Sequence, residues 1–148
     1  MDIREAIDTV FPKLDAPKYR LSNAIIEDDY GDDSYTFKEE WETWDQIEDW
    51  QLVKSDVFFS YAPLPVAIYV LPRFLFFVLD EIDGLLEEEH QGCGAGDTAV
   101  WFVQRLKNKG YQNTGLSKAQ IDVLEKFLAH AYQDYDYSVT IDVGKKQL

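Results

Sequence analysis

Apolar positions recur at helical spacing along most of the chain, and between Asp56 and Asp80 the polar positions almost vanish. Between those two aspartates, in VFFSYAPLPVAIYVLPRFLFFVL, the only charge is Arg73. Val66 to Leu71 are apolar on every side, the pattern of a helix buried all round. Ser60 is placed to cap a turn and Pro65 suits a first helical position. Pro72 has no N–H for the helical ladder, which predicts a kink or a restart. The expectation is two short helices or one kinked helix, within residues 60–86, threading the centre of a bundle.

Shorter patterns flank this run. Ile3, Ile7, Val10 and Phe11 form an apolar stripe over residues 2–11, with Asp2 and Glu5 spaced as a capping box. Residues 19–26 carry no definite signal and are compatible with an extended stretch. Ser34 or Thr36 is placed to cap a helix through Glu39 and Trp41, and Asp45 with Glu48 to cap a short helix through Ile47, Trp50 and Val53. A polar, glycine-rich break at 87–97 precedes a helix over 97–109, capped by Asp97, with Val100, Trp101, Val103 and Leu106 inward. Ser117 and Gln120 form a second capping box, opening a helix over 117–132 with Ile121, Leu124, Phe127 and Leu128 inward. The tail alternates at YSVTIDV and reads as a short C-terminal strand or a frayed end. The fold class that follows is mainly α: one compact helical bundle over residues 1–148 around a Pro-kinked apolar helix.

Composition agrees with a packed globule: 148 residues, 46% hydrophobic and 15% aromatic, enough to bury roughly 70% of the unfolded surface. Charge changes the picture more. The net charge is −14, and residues 27–56 hold twelve carboxylates against two lysines. Such a field disfavours direct contact with nucleic-acid phosphates and favours a basic partner. Three of the four tryptophans, Trp41, Trp44 and Trp50, lie inside the same segment. Aromatic rings at the edge of a charged field are the usual anchors of an interface. The expected partner-binding residues are therefore Asp28, Asp29, Tyr30, Asp32, Asp33, Tyr35, Glu39, Glu40, Trp41 and Trp44.

Other chemistry is thinner. His90 and Cys93 beside Glu87, Glu88 and Glu89 have ligand-like composition, but a zinc site wants about four ligands, and the favoured reading is a solvated loop with no metal. The Asp28–Asp33 run lacks the glycine and distal glutamate of an EF-hand loop. There is no Gly-x-Ser-x-Gly, no His and Asn pattern matched to Cys93, and no phosphate-cradling glycine loop after a strand. No catalytic residue and no cofactor are expected. Carboxylate pairing for glycosidase-like chemistry needs a cleft that sequence does not display. Arg73 is expected to snorkel or, better, to form a structural ion pair. A single cysteine excludes an internal disulfide and fits a reducing cytoplasm. The N-terminus shows no secretory signal, and three prolines with Arg73 argue against a membrane span at 57–80.

Tyr69-x-Leu71-Pro72-x-Phe74, then Leu116-Ser117-x-x-Gln120 with Phe127-Leu128, together with Phe11 and Trp44-x-x-Ile47, resemble a family of small bacterial proteins of unassigned function. That family has a Tyr-Tyr-Leu-Pro-Ala-like core helix and a Leu-Thr-x-x-Gln helix near its end. Val70 and Arg73 stand where its pattern has tyrosine and alanine. The resemblance implies a small single-domain protein of the kind that accompanies bacterial toxin systems, and carries no catalytic residues. The expected function is a cytoplasmic, immunity-type inhibitor, monomer or homodimer, that neutralises a basic toxin or effector domain. The alternatives are a nucleic-acid mimic that blocks a host or phage-defence protein and, from another class, a carboxylate- or metal-dependent enzyme.

Overall fold

The computed structural model describes residues 2–34 and 36–133. Seven α-helices and two 3-10 turns account for the regular structure there, with no strand among the described residues. The helices are α1 (Ile3–Val10), α2 (Leu21–Asp28), α3 (Asp49–Val53), α4 (Phe58–Tyr61), α5 (Leu64–Ile82), α6 (Ala95–Asn108) and α7 (Lys118–Ala131). The 3-10 turns are Trp44–Gln46 and Glu88–His90. The YSVTIDV strand expected in the tail lies outside the described residues.

The apolar run becomes α5, the axis of the bundle. It packs against α1, α6, α7 and the Trp44–Gln46 turn. Val70, Leu71, Phe74, Leu75, Phe77 and Val78 are fully buried along it, each worth roughly 1.5–3 kcal/mol of transfer free energy. The helix runs unbroken through Pro72, so the expected restart does not occur. An interior proline costs about 3 kcal/mol or more, and neighbours on every side offset that. No described helix is long and apolar enough to cross a membrane.

Several local expectations hold. Asp2 caps α1 by accepting from the Glu5 N–H at 2.8 Å. Ser117 and Gln120 cap α7 reciprocally, at 3.1 and 2.9 Å. The Gln120 amide also donates to the Val10 carbonyl at 3.0 Å, tying α7 to the end of α1. Arg73 forms the structural ion pair, to Asp49 Oδ1 at 2.5 Å, and donates to the Ile47 carbonyl at 2.6 Å. This side chain, 13% exposed, thereby holds α3 and its preceding turn on α5.

The stretch at 19–26, left open by its sequence, is mostly helical, and two expectations fail. Residues 21–28 are helical, with Leu21, Ala24 and Ile25 buried at helical spacing. Residues 36–43 are not helical. There the positions alternate: Phe37, Glu39, Trp41 and Thr43 turn inward while Lys38, Glu40 and Glu42 stay exposed, which is the period of an extended chain. Finally, α6 opens at Ala95, with Asp97 inside its first turn and not at the cap. Buried Ala95, Gly96 and Ala99 let its first turns approach the core closely.

Candidate functional site

Glu39 holds the acidic segment in place. Its carboxylate accepts from the Leu21 and Ser22 N–H groups at 3.2 and 2.6 Å and from Trp41 Nε1 at 2.6 Å. It thus supplies the N-terminus of α2 with a charged cap from seventeen residues downstream, where both charge and helix dipole favour it. Arg20 closes the same corner: Nη1 donates to the Trp41 carbonyl at 2.5 Å and the guanidinium lies 4.3 Å from the Trp41 ring centroid. Glu39 and Trp41 are therefore a clasp, and Trp41, 4% exposed, offers little more than an edge to the surface.

Trp44 is also interior, 1% exposed. Its ring stacks on Phe76 at 6.1 Å and its Nε1 donates to the Pro12 carbonyl at 3.1 Å. Trp41 and Trp44, expected at an interface, thus both pack into the core beside α5. The tryptophan that does reach solvent is Trp50, 37% exposed, which the expected set omitted. Its ring meets Phe37 edge-on at 5.1 Å, and Lys54 lies 5.5 Å from its centroid. Trp50 lies on the outward side of a five-residue helix whose buried residues are Gln51 and Leu52, a placement that the sequence does not signal.

Around Trp50 the segment forms an open groove of about 490 Å³ lined by Lys38, Glu40, Trp41, Gln46, Glu48, Trp50 and Gln51. Glu40 is exposed and pairs only with exposed Lys38, at 3.4 Å, a contact of little energetic weight. Glu48 accepts from Trp50 Nε1 and leaves its remaining acceptor capacity toward solvent. The groove can therefore receive a cationic side chain between carboxylates and against an indole face.

The remaining predicted acids lie at the other end of α2. Asp28 and Asp29 close that helix, roughly 10 Å along its axis from the Glu39 clasp. Asp28 accepts from the half-exposed Tyr61 hydroxyl at 2.9 Å, raising the Tyr61 pKa through that hydrogen bond. Asp32 accepts from the Ser34 hydroxyl and N–H at 2.6 and 2.8 Å, and these bonds hold its carboxyl below the ordinary range. Asp33 is exposed. Tyr30 is fully exposed with φ +57°, the left-handed conformation that normally selects glycine after a helix. Tyr35 lies outside the described residues. The predicted set thus divides into an outer patch (Asp28, Asp29, Tyr30, Asp32, Asp33), a groove residue (Glu40) and structural members (Glu39, Trp41, Trp44).

Among the described residues, one group of three or more His, Cys, Asp or Glu side chains brings its ligand atoms together. Glu87, Glu89 and His90 have them within 4.8 Å of one another. Cys93 does not belong to it, and burial raises its thiol pKa, which disfavours the thiolate that metals bind. Searches of family models, curated proteins and solved structures find no match for this chain.

Proposed function

We propose that this protein binds a basic protein partner through residues 27–56, as an immunity-type inhibitor of a cationic toxin or effector domain. The observation that carries the reading is the groove beside Trp50. It places Glu40, Glu48 and a partly exposed indole together within a segment that holds most of the chain's −14 charge. A partner lysine or arginine entering there exchanges water for two carboxylates and a ring face, the composition of an interface hot spot. The outer patch at Asp28–Asp33 adds long-range attraction that speeds encounter. Tyr30 supplies a second anchor, held out in a backbone conformation that costs the fold about 1–2 kcal/mol. The likeness of the Tyr69–Phe74 and Leu116–Gln120 motifs to small proteins of toxin systems adds to the immunity reading.

The test is titration with the purified product of a neighbouring toxin-like reading frame. Glu40→Lys with Glu48→Lys is expected to weaken binding at least a hundredfold, mainly through dissociation. Reversal of Asp28 and Asp32 is expected to slow association and flatten its salt dependence. Unchanged affinity in the groove variant overturns the proposed face. Binding instead to a DNA-binding protein, competed by duplex DNA, would select nucleic-acid mimicry.

A further inference from the structure

We infer that the groove beside Trp50 takes an arginine of the basic partner in preference to a lysine, an inference that rests on the partner-binding reading above. The chain's own lysines supply the argument, because two of them already sit on the groove's recognition groups. Lys38 Nζ lies 3.4 Å from Glu40 Oε1, and Lys54 Nζ lies 5.5 Å from the Trp50 ring centroid. Both lysines are exposed, so each is held loosely and can be displaced. Their seating on a carboxylate and on a ring face shows that the groove draws cationic side chains, independently of how many acids surround it. It also sets what a partner must offer.

A partner lysine entering the groove exchanges one ammonium for another. Its contacts replace contacts already present, while the cost of ordering its long side chain is added. A guanidinium brings more. Its planar fork can engage a carboxylate through two parallel N–H···O bonds, it stacks flat on an indole, and it sheds water more readily than an ammonium. The same difference is visible elsewhere in this molecule. Arg20 and Arg105 approach the Trp41 and Trp101 rings to 4.3 and 4.6 Å, whereas Lys13 and Lys54 stand 5.5 Å from Trp44 and Trp50. Glu48 accepts from Trp50 Nε1, so a carboxylate and a ring stand together before the partner arrives. Trp50 and Glu48 thus read the partner's side chain, and Glu40 adds charge.

Two synthetic peptides matched in charge and spacing, one carrying only arginine and the other only lysine, test this by calorimetry on the full chain at low salt. The arginine peptide is expected to bind about five- to tenfold tighter. Trp50→Ala and Glu48→Gln should each bring that ratio below about twofold. Asp28→Asn, which removes one charge from the outer patch, should weaken both peptides alike and leave the ratio intact. Circular dichroism checks that the Trp50→Ala fold persists, and Glu48→Gln, at an exposed position, carries the test where it does not. Equal affinities for the two peptides, or a preference for arginine that survives in the folded variants, overturn the inference. The partner-binding reading fails by a different result, and takes the inference with it: neither peptide binds, or both bind as tightly to the Glu40→Lys, Glu48→Lys double variant.

Discussion

Residues 27–56 and residues 57–82 are neighbours of similar length, both rich in aromatic rings, yet they are stabilised by different physics. The second segment is held by area. Phe58, Phe74 and Phe77 have no exposure, and the Phe58, Phe59, Phe74 and Phe102 rings pack within 4.5–6.1 Å. The first also buries two tryptophans, but it seats each through a hydrogen bond, Trp41 to Glu39 and Trp44 to the Pro12 carbonyl. Net repulsion among twelve carboxylates opposes that arrangement. A chain can therefore keep a highly charged surface over a dry interior, provided a few polar groups at the boundary are fully satisfied.

This contrast can be broken most forcefully from the core side. Phe74→Ala should cost about 3–5 kcal/mol by leaving a cavity in α5, read as a lower urea midpoint in equilibrium unfolding. On the acidic side, Glu39→Ala strands two helix N–H groups and an indole N–H. It should cost about 1–3 kcal/mol and shift Trp41 emission, whereas Glu40→Ala, at the next and exposed position, should stay within about 0.5 kcal/mol. A Glu39 variant as mild as the Glu40 one would show that the clasp contributes nothing. Tyr30→Gly should raise stability by about 0.5–1 kcal/mol through relief of the left-handed backbone, while weakening partner binding in the same preparation.

The smallest effect is a pH slope. Burial pushes the Tyr132 phenol up to about 12, and burial with a carboxylate neighbour raises Tyr19 and Tyr111 as well. The native state therefore keeps these protons more tightly than the unfolded chain. Their contribution is intact below about pH 10 and is lost as pH rises from there through the native values. Melting temperature measured between pH 9 and 12 should fall, and Tyr132→Phe should make the fall shallower.

Much of the fold was legible in the sequence because its determinants are local. The apolar run, the Asp2 cap and the Ser117–Gln120 box each lie within one element and act there. What the sequence concealed depended on distant partners. At the start of Leu21–Asp28 the local sequence offers only the Asn23 side chain, which accepts from the Arg20 N–H, while the Leu21 and Ser22 N–H groups are capped by Glu39, seventeen residues beyond Ser22. Phe37 to Thr43 alternates, but with a glutamate among the inward positions, so hydrophobicity alone does not reveal the period. Of the candidate site, the location of the charge was legible and the choice of ring was not. Three tryptophans within ten residues have equal claims until the inward faces of Trp41 and Trp44 are fixed by Tyr69 and Phe76.

The Glu39 clasp also governs how this sequence can drift over generations. One carboxylate accepts three hydrogen bonds that no amide or shorter acid could reproduce, while the side chains at 38, 40 and 42 are exposed and hold no helix in place. Substitutions should accumulate freely at those three positions, within the limits a partner sets, and stall at 39. A single frozen glutamate in a stretch of interchangeable ones would be the trace of a helix cap and not of a binding site.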